Sequence, residues 1–229
     1  MCNLEAAKKI AGLHAVDFVK QGMTIGIGSG TTVYWFIRGL GERVMQGLEI
    51  KAVPTSEQTA TLAKESGIAI SDLDETDKLV LTIDGADEID ADGNLVKGGG
   101  GALLQEKIVA AASEQLIIIA DDSKLVKKLG RFPLPVEVIP FGYQQVQRKI
   151  LESLPCKGVQ LRKKDERAFV TDHDHYILDC EFQKIEDVAA LNISLHLIPG
   201  VVETGLFPRM ANKAIIGFED GKVEVINYR

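Results

Sequence analysis

Between Asp84 and Glu106 the chain gathers acid, amine and bare backbone in a pattern suited to moving protons. DGADEID sets Asp84, Asp87, Glu88 and Asp90 directly behind the apolar run LVLTI, and KGGGGALLQEK then brings Lys97, Gly98 to Gly101 and Glu106. A carboxylate leaving a dry strand is costly unless water, a cation, a hydrogen-bond donor or a reacting group meets it. Four consecutive glycines carry an entropic penalty unless side chains would block something close by. Upstream, GIGSGTT follows a strand and opens a helix, so Ser29, Gly30, Thr31 and Thr32 stand where N–H groups and the helix dipole favour an anion such as phosphate. Downstream, ADDSKLVKKLG ends another strand, with Asp121 to Ser123 placed to cap a helix and Lys124 at the switch.

Other chemistries fit these residues poorly. No Lys follows the last glycine of GIGSGTT as a Walker motif requires, and the final Gly of G-x-G-x-x-G is missing. The next strand, IKAVPTS, ends in Pro54, Thr55 and Ser56 rather than the acid that holds a ribose in dinucleotide folds. An EF-hand numbered from Asp90 puts Gly93 at a ligand position and Gly101 where the bidentate Glu belongs. HExxH does not occur, and His173 and His175 in TDHDH read as a hairpin tip rather than metal ligands. Glu106 has a plain alternative: Leu104, Ile108, Ala111 and Ala112 form the expected core stripe of its helix. Glu106 lies off that stripe, as a surface acid complementing the helix dipole would.

The elements that must position these groups alternate along the first half of the chain. An amphipathic helix is expected over residues 4–20, and strand and helix signals then follow one another through LIIIADDSKLVKKLG. Alternation of this kind with nearly all-apolar strands indicates a parallel sheet covered on both faces. At the start of RFPLPVEVIP the prolines Pro133 and Pro135 interrupt the pattern, which sets a boundary near residue 131. Beyond it come strand VEVIP, helix YQQVQRKILESL, strands GVQLRKK and AFVTDHDHYILDC, helix IEDVAALNISLHL and strand GVVETGLF, the β-α-β-β-α-β order of a ferredoxin-like unit. The tail KAIIGFEDGKVEVI reads as a hairpin returning to the first sheet. The expected organisation is a Rossmann-like α/β domain from 1–130 and 205–229, with a smaller ferredoxin-like α+β domain from 131–204.

Bulk properties narrow the partners. With 229 residues, 45% hydrophobic and 26% charged, the chain is large enough to bury a core, and its net charge of -7 argues against nucleic acid. Cys2, Cys156 and Cys180 show no C-x-x-C pairing, so neither a disulfide framework nor a zinc site is expected. The start, MCNLEAAKKIAGLHAVDFV, has no unbroken apolar h-region, and no run reaches membrane-span length. A cytoplasmic location without membrane association follows as an expectation. If the loops at the carboxyl ends of the parallel strands converge, one pocket holds a phosphate cradle, two lysines and several carboxylates, an inventory for proton transfer on a small phosphorylated sugar.

GIGSGTT, DGADEID, KGGGGALLQEK, IADDSKLVKKLG, FPLPVEVIP and IPGVVETGLF, in this order, closely resemble the A-type ribose-5-phosphate isomerases over almost the whole chain. The resemblance implies metal-free, cofactor-free interconversion of D-ribose 5-phosphate and D-ribulose 5-phosphate through an enediolate, in the non-oxidative branch of the pentose phosphate pathway, by a homodimer or larger homo-oligomer. It implies Glu106 as catalytic base, with Asp84, Asp87 and Lys97 assisting. It also implies substrate contacts at Ser29, Gly30, Thr31, Thr32, Asp84, Gly85, Ala86, Asp87, Lys97, Gly98, Gly99, Gly100 and Lys124. The loop reads GSGTT where many members have GTGST, and Gly101 stands where others have alanine or cysteine. Two rivals remain on the same scaffold: a sugar-phosphate sensor without turnover, which would need a DNA-reading element, and a related isomerase or aminosugar-phosphate deaminase.

Overall fold

The computed structural model describes residues 4–228, so Cys2 lies outside the described residues. The first half runs α1 (Leu4–Ala15), β1 (Thr24–Ile27), α2 (Thr31–Met45), β2 (Lys51–Pro54), α3 (Glu57–Glu65), β3 (Ala69–Ile70), β4 (Leu81–Asp84), β5 (Glu88–Ile89), β6 (Leu95–Val96) and α4 (Leu103–Ala111). It is followed by β7 (Leu116–Asp121), β8 (Leu134–Val138), α5 (Tyr143–Ser153), β9 (Gly158–Leu161), β10 (Lys163–Lys164) and β11 (Arg167–Ala168). The remainder is β12 (Tyr176–Glu181), α6 (Val188–His196), β13 (Val201–Thr204), β14 (Leu206–Phe207), β15 (Lys213–Gly217) and β16 (Val223–Asn227).

By contacts the chain forms two compact units: residues 4–86, 105–124 and 210–228, and residues 87–104 and 125–209. The first is a Rossmann-like α/β unit whose seven-stranded sheet runs β16-β15-β7-β4-β1-β2-β3. All its neighbours pair in parallel except β15 with β16, the tail hairpin, whose β15 also lies parallel to β7. Every residue of β7, LIIIAD, is buried, as expected for a central strand covered on both faces. Ile25, Ile27, Ile83, Ile117, Ile119 and Ile215 from the sheet pack with Phe36, Ile37 and Leu40 of α2. The first helix is shorter than its periodicity suggests: α1 stops at Ala15 and a 3-10 turn, Val16–Phe18, replaces the last expected turn.

The second unit is the smaller ferredoxin-like one. Its four-stranded antiparallel sheet runs β13-β8-β12-β9, with β10 and β11 forming a short hairpin after β9. Leu134, Val136 and Val138 of β8 pack with Leu178 and Cys180 of β12, Val146 and Ile150 of α5, and Leu195 of α6. The expected strand GVVETGLF is broken at Gly205: β13 joins the four-stranded sheet, whereas β14 pairs with β6 in a separate β14-β6-β5 sheet. Gly205 donates to Pro135 O at 2.7 Å and accepts from Lys97 N at 2.9 Å, and a Cβ there would stand 2.4 Å from Lys97 O. The expected division and the contact division differ over residues 87–104, 125–130 and 205–209; within the first of these, β6 pairs with Leu206–Phe207 and β5 pairs with β6.

Cys156 and Cys180, far apart in sequence, are free thiols packed in this second core. The Cys156 thiol is lowered to about 7 by the hydrogen bond from the Cys180 side chain, against the opposing effect of burial, and it also contacts the Gly158 carbonyl at 3.1 Å. Its partner is pushed the other way, by that same hydrogen bond and by burial. Alkylation of Cys156 should show a midpoint near pH 7, and Cys180→Ala should move it up toward about 8.5, the ordinary thiol value; an unmoved midpoint, read by mass spectrometry, would separate the two thiols.

Candidate active site

In the first unit β1, β2, β4 and β7 are parallel, so Gly28 to Thr32, Thr55–Ser56, Asp84 to Ala86 and Asp121 to Lys124 all leave the sheet at one edge. Asp84 is the last residue of β4 and is 0% exposed. Burying a carboxylate there requires donors, and its Oδ1 accepts from Ser29 N at 3.1 Å and Gly85 N at 2.7 Å. Gly28 is required at this approach because a Cβ would lie 1.9 Å from Asp84 Oδ1.

Asp84 thereby sets the entry to α2. Gly30, the residue before that helix, has φ 115 and no side-chain cap, so no side chain screens the first-turn N–H groups. Thr31 is exposed on that turn and Thr32 buried. A cavity of about 380 Å³ opens beside it, lined by Gly30, Thr31, Tyr34, Gln58, Thr59 and Glu5 among others. The Ser29 hydroxyl is held within the wall: its Oγ lies 2.9 Å from Thr55 Oγ1, 2.8 Å from Ser56 Oγ and 3.0 Å from Thr59 Oγ1. Thr59 in turn donates to Gly28 O at 2.9 Å, and Ser56 caps α3 by accepting from Thr59 N at 3.1 Å. A serine directly ahead of EQTATLAKE is an ordinary N-cap residue, but the link to Ser29 is tertiary.

Glu106 corrects the expected stripe. The buried face of α4 is Leu103, Glu106, Val109 and Ala110, while Ile108 is 48% exposed and Ala111 and Ala112 are exposed. Apolar residues surround this helix almost completely, so periodicity could not choose the face, and Glu106 is 5% exposed. Lys124 sits at the end of a 3-10 turn, Asp122–Lys124, where an α-helix was expected. Asp121 caps that turn, accepting from Ser123 N at 3.1 Å and from Ser123 Oγ.

The remaining predicted residues belong to the second unit. Asp87 Oδ2 accepts from Gly99 N at 2.8 Å, and a Cβ on Gly99 would stand 2.6 Å from Asp87 Oδ1. Lys97 is 2% exposed, with Nζ 5.5 Å from the centroid of the Phe207 ring. Gly99 and Gly100 are exposed at the crest of the loop. The other two acids of DGADEID are structural. Glu88 accepts from Gly130 N at 2.6 Å and Phe132 N at 2.8 Å, and Asp90 accepts from Asp92 N and Asn94 N and from Asn94 Nδ2. His175, at the base of the TDHDH turn where its carbonyl accepts from Thr171 N at 2.9 Å, meets the buried Glu137 at 3.0 Å. Arg162, which holds the glycine loop from beneath, was missed, for no motif announces it. Among the described residues no group of three or more His, Cys, Asp or Glu could hold a metal ion, and no helix is long and apolar enough to cross a membrane.

Residues 51–221 match the family described as ribose 5-phosphate isomerase A (phosphoriboisomerase A). A ribose-5-phosphate isomerase A of Bacillus mycoides (strain KBAB4) is 55% identical over 215 residues, 93% of this chain and 96% of its own length. A solved D-ribose-5-phosphate isomerase, in complex with phospho-erythronic acid, superposes with a TM-score of 0.94 at 37% identity, covering 98% of this chain and 99% of the other. The ribose 5-phosphate isomerase of Plasmodium falciparum also gives 0.94, at 38% identity over 97% and 98%. The chain belongs to the ribose-5-phosphate isomerase A family. Enzymes of this family are isomerases, and the chain is accordingly an enzyme.

Gly28→Ala should displace the Asp84 carboxylate and with it the Ser29 amide, costing about 1–3 kcal/mol of stability by overpacking. Denaturant unfolding measures this; a variant as stable as wild type would mean that the strand-end contact is slack.

Proposed function

We propose that this enzyme interconverts D-ribose 5-phosphate and D-ribulose 5-phosphate through an enediolate, without a metal or other cofactor. It serves the non-oxidative pentose phosphate pathway in the cytoplasm as a homodimer or larger homo-oligomer. The observation that carries the reading is the cradle fixed by Asp84: a glycine loop against a buried carboxylate, opening a helix whose first N–H groups no side chain caps. Such an N-terminus favours a phosphate, and Ser29 to Thr32 with Lys124 are assigned to it. The related complex with phospho-erythronic acid supports an acyclic phosphorylated chain as the ligand.

The reaction moves one proton between neighbouring carbons and one between their oxygens. Glu106 takes the proton from C2 of the open aldose while the carbonyl oxygen O1 takes up the charge as the enediolate forms; the O2 hydroxyl proton passes to O1, and Glu106 returns its proton to C1 as O2 becomes the ketone carbonyl. One carboxylate shielded from water serves both steps. Lys97 and the amides of Gly98 and Gly100 meet the oxyanion as charge develops, the Gly99 amide being held by Asp87; a preorganised donor is worth about 3 kcal/mol of barrier. Asp84 and Asp87, with Gly85 and Ala86, hold sugar hydroxyls and assist ring opening. Asp87 is already an acceptor for Gly99 N, which aligns it with the glycine loop it is proposed to serve.

Ribulose 5-phosphate formation, assayed with chelator present, should proceed at the full rate in wild type. Glu106→Gln should lower kcat by about 10²–10⁴-fold, and Lys97→Ala should lower kcat more than it raises KM. Phospho-erythronic acid should inhibit competitively. Full activity in folded Glu106→Gln removes the base, dependence on added divalent metal contradicts the metal-free route, and ammonia release from an aminosugar phosphate would favour the deaminase.

A further inference from the structure

Arg162 follows β9 and is pinned at both ends. Its backbone N donates to Ile177 O at 2.8 Å, and its side chain is only 13% exposed. Nε donates to Asp179 Oδ2 at 2.9 Å and Nη2 to Asp179 Oδ1, a two-pronged pair that fixes the plane of the guanidinium. Nη1 then reaches the glycine loop, donating to Gly98 O at 2.7 Å and Gly99 O at 3.1 Å. Phe169 packs under both partners: its ring centroid is 6.0 Å from the guanidinium carbon, and a Cβ on Gly101 would come within 2.5 Å of the ring.

The crest of this loop has no packing of its own, because Gly99 and Gly100 are exposed. Glycine backbone left to itself samples many conformations. Here two charges restrain it from opposite sides, Arg162 on the carbonyls of Gly98 and Gly99 and Asp87 on the amide of Gly99. The contacts also alternate along the peptide groups. The Gly98 carbonyl shares its peptide with Gly99 N–H, which Asp87 accepts, and the Gly99 carbonyl shares its peptide with Gly100 N–H. A carbonyl that accepts from a cation strengthens the N–H across the same peptide as a donor. Lysine could not reproduce this, since it lacks a planar fork that binds a carboxylate with one edge and two carbonyls with another nitrogen.

We propose that Arg162, braced by Asp179, is a positioning residue for the isomerisation, fixing the Lys97–Gly100 loop and polarising Gly100 N–H toward the charge that develops on the sugar. This rests on the proposed function, in which that loop contacts the substrate, and adds a residue outside the family motifs quoted above. Its effect should fall on turnover, because a donor held about 1 Å out of place loses up to about a hundredfold in rate.

The test is steady-state kinetics of Arg162→Ala beside wild type and Glu106→Gln, with folding checked by circular dichroism and thermal melting. Folded Arg162→Ala should lose about tenfold to a hundredfold in kcat with KM little changed, and millimolar guanidinium should restore part of that loss while leaving Glu106→Gln inactive. Native kcat in the folded variant overturns the proposal, as does a loss that guanidinium leaves untouched. Should Arg162→Ala not fold, Asp179→Asn takes its place, keeping the guanidinium but removing its brace. A fall in kcat at constant KM then supports positioning and native kcat overturns it. An active wild type with inactive Glu106→Gln and fully active Arg162→Ala removes Arg162 alone, whereas a wild type without isomerase activity removes the underlying reading.

Discussion

A carboxylate buried at the end of a dry strand must be met by donors, and Asp84 meets this requirement with the backbone amides of Ser29 and Gly85. From that one constraint the first unit's loop geometry follows. Gly28 has to be glycine, the chain turns through Gly30 into α2 without a side-chain cap, and the Ser29 hydroxyl is drawn into a cluster with Thr55, Ser56 and Thr59. The same device recurs along DGADEID. Asp87 gathers Gly99, Glu88 gathers Gly130 and Phe132, and Asp90 gathers Asp92 and Asn94, so each acid holds backbone N–H groups. The density of negative charge behind LVLTI reflects loop anchoring, with Asp84 and Asp87 carrying the proposed chemistry in addition.

Glycine and charge act as complements in the second unit. Bare backbone allows Asp87 to approach Gly99 closely, and the freedom that glycine brings is removed by Asp87 on one side and Arg162 on the other. Charge-assisted hydrogen bonds contribute about 1.5–3 kcal/mol each when shielded and less in solvent; of those on this loop the Arg162–Gly98 bond is part-buried, while the two contacts to Gly99 are exposed. A loop so held can present donors without reorganising during the reaction, which is the condition under which electrostatic stabilisation is most effective.

Much of this was legible in the sequence because local pattern and tertiary role coincide. Apolar strands followed by glycine turns located β1 and β4, the proline pair marked the change toward β8, and the tail hairpin was readable from its Asp-Gly turn. What was not legible depends on contacts distant in the chain. Periodicity misplaced Glu106 because α4 is apolar nearly all round, so only the packing selects Leu103, Glu106, Val109 and Ala110 as the inner face. The break at Gly205 was hidden because GVVETGLF has strand character throughout, and its splitting between two sheets follows from Gly205 bonding Pro135 and Lys97. Arg162 lies 64 residues from Gly98, and nothing in LRKKDERAF distinguishes it from its basic neighbours. Its partner Asp179 is equally plain within a strand.

The central claim, that the acids of DGADEID are acceptors organising separate loops, is most directly tested by amide hydrogen exchange resolved by NMR in the ligand-free protein. The amides of Ser29, Gly99, Gly130 and Phe132 should exchange far more slowly than in an unfolded chain, and Asp87→Ala should release Gly99 while Gly130 and Phe132 stay protected. Fast exchange at these amides in the native protein, or a Gly99 amide indifferent to loss of the Asp87 carboxylate, would contradict the account.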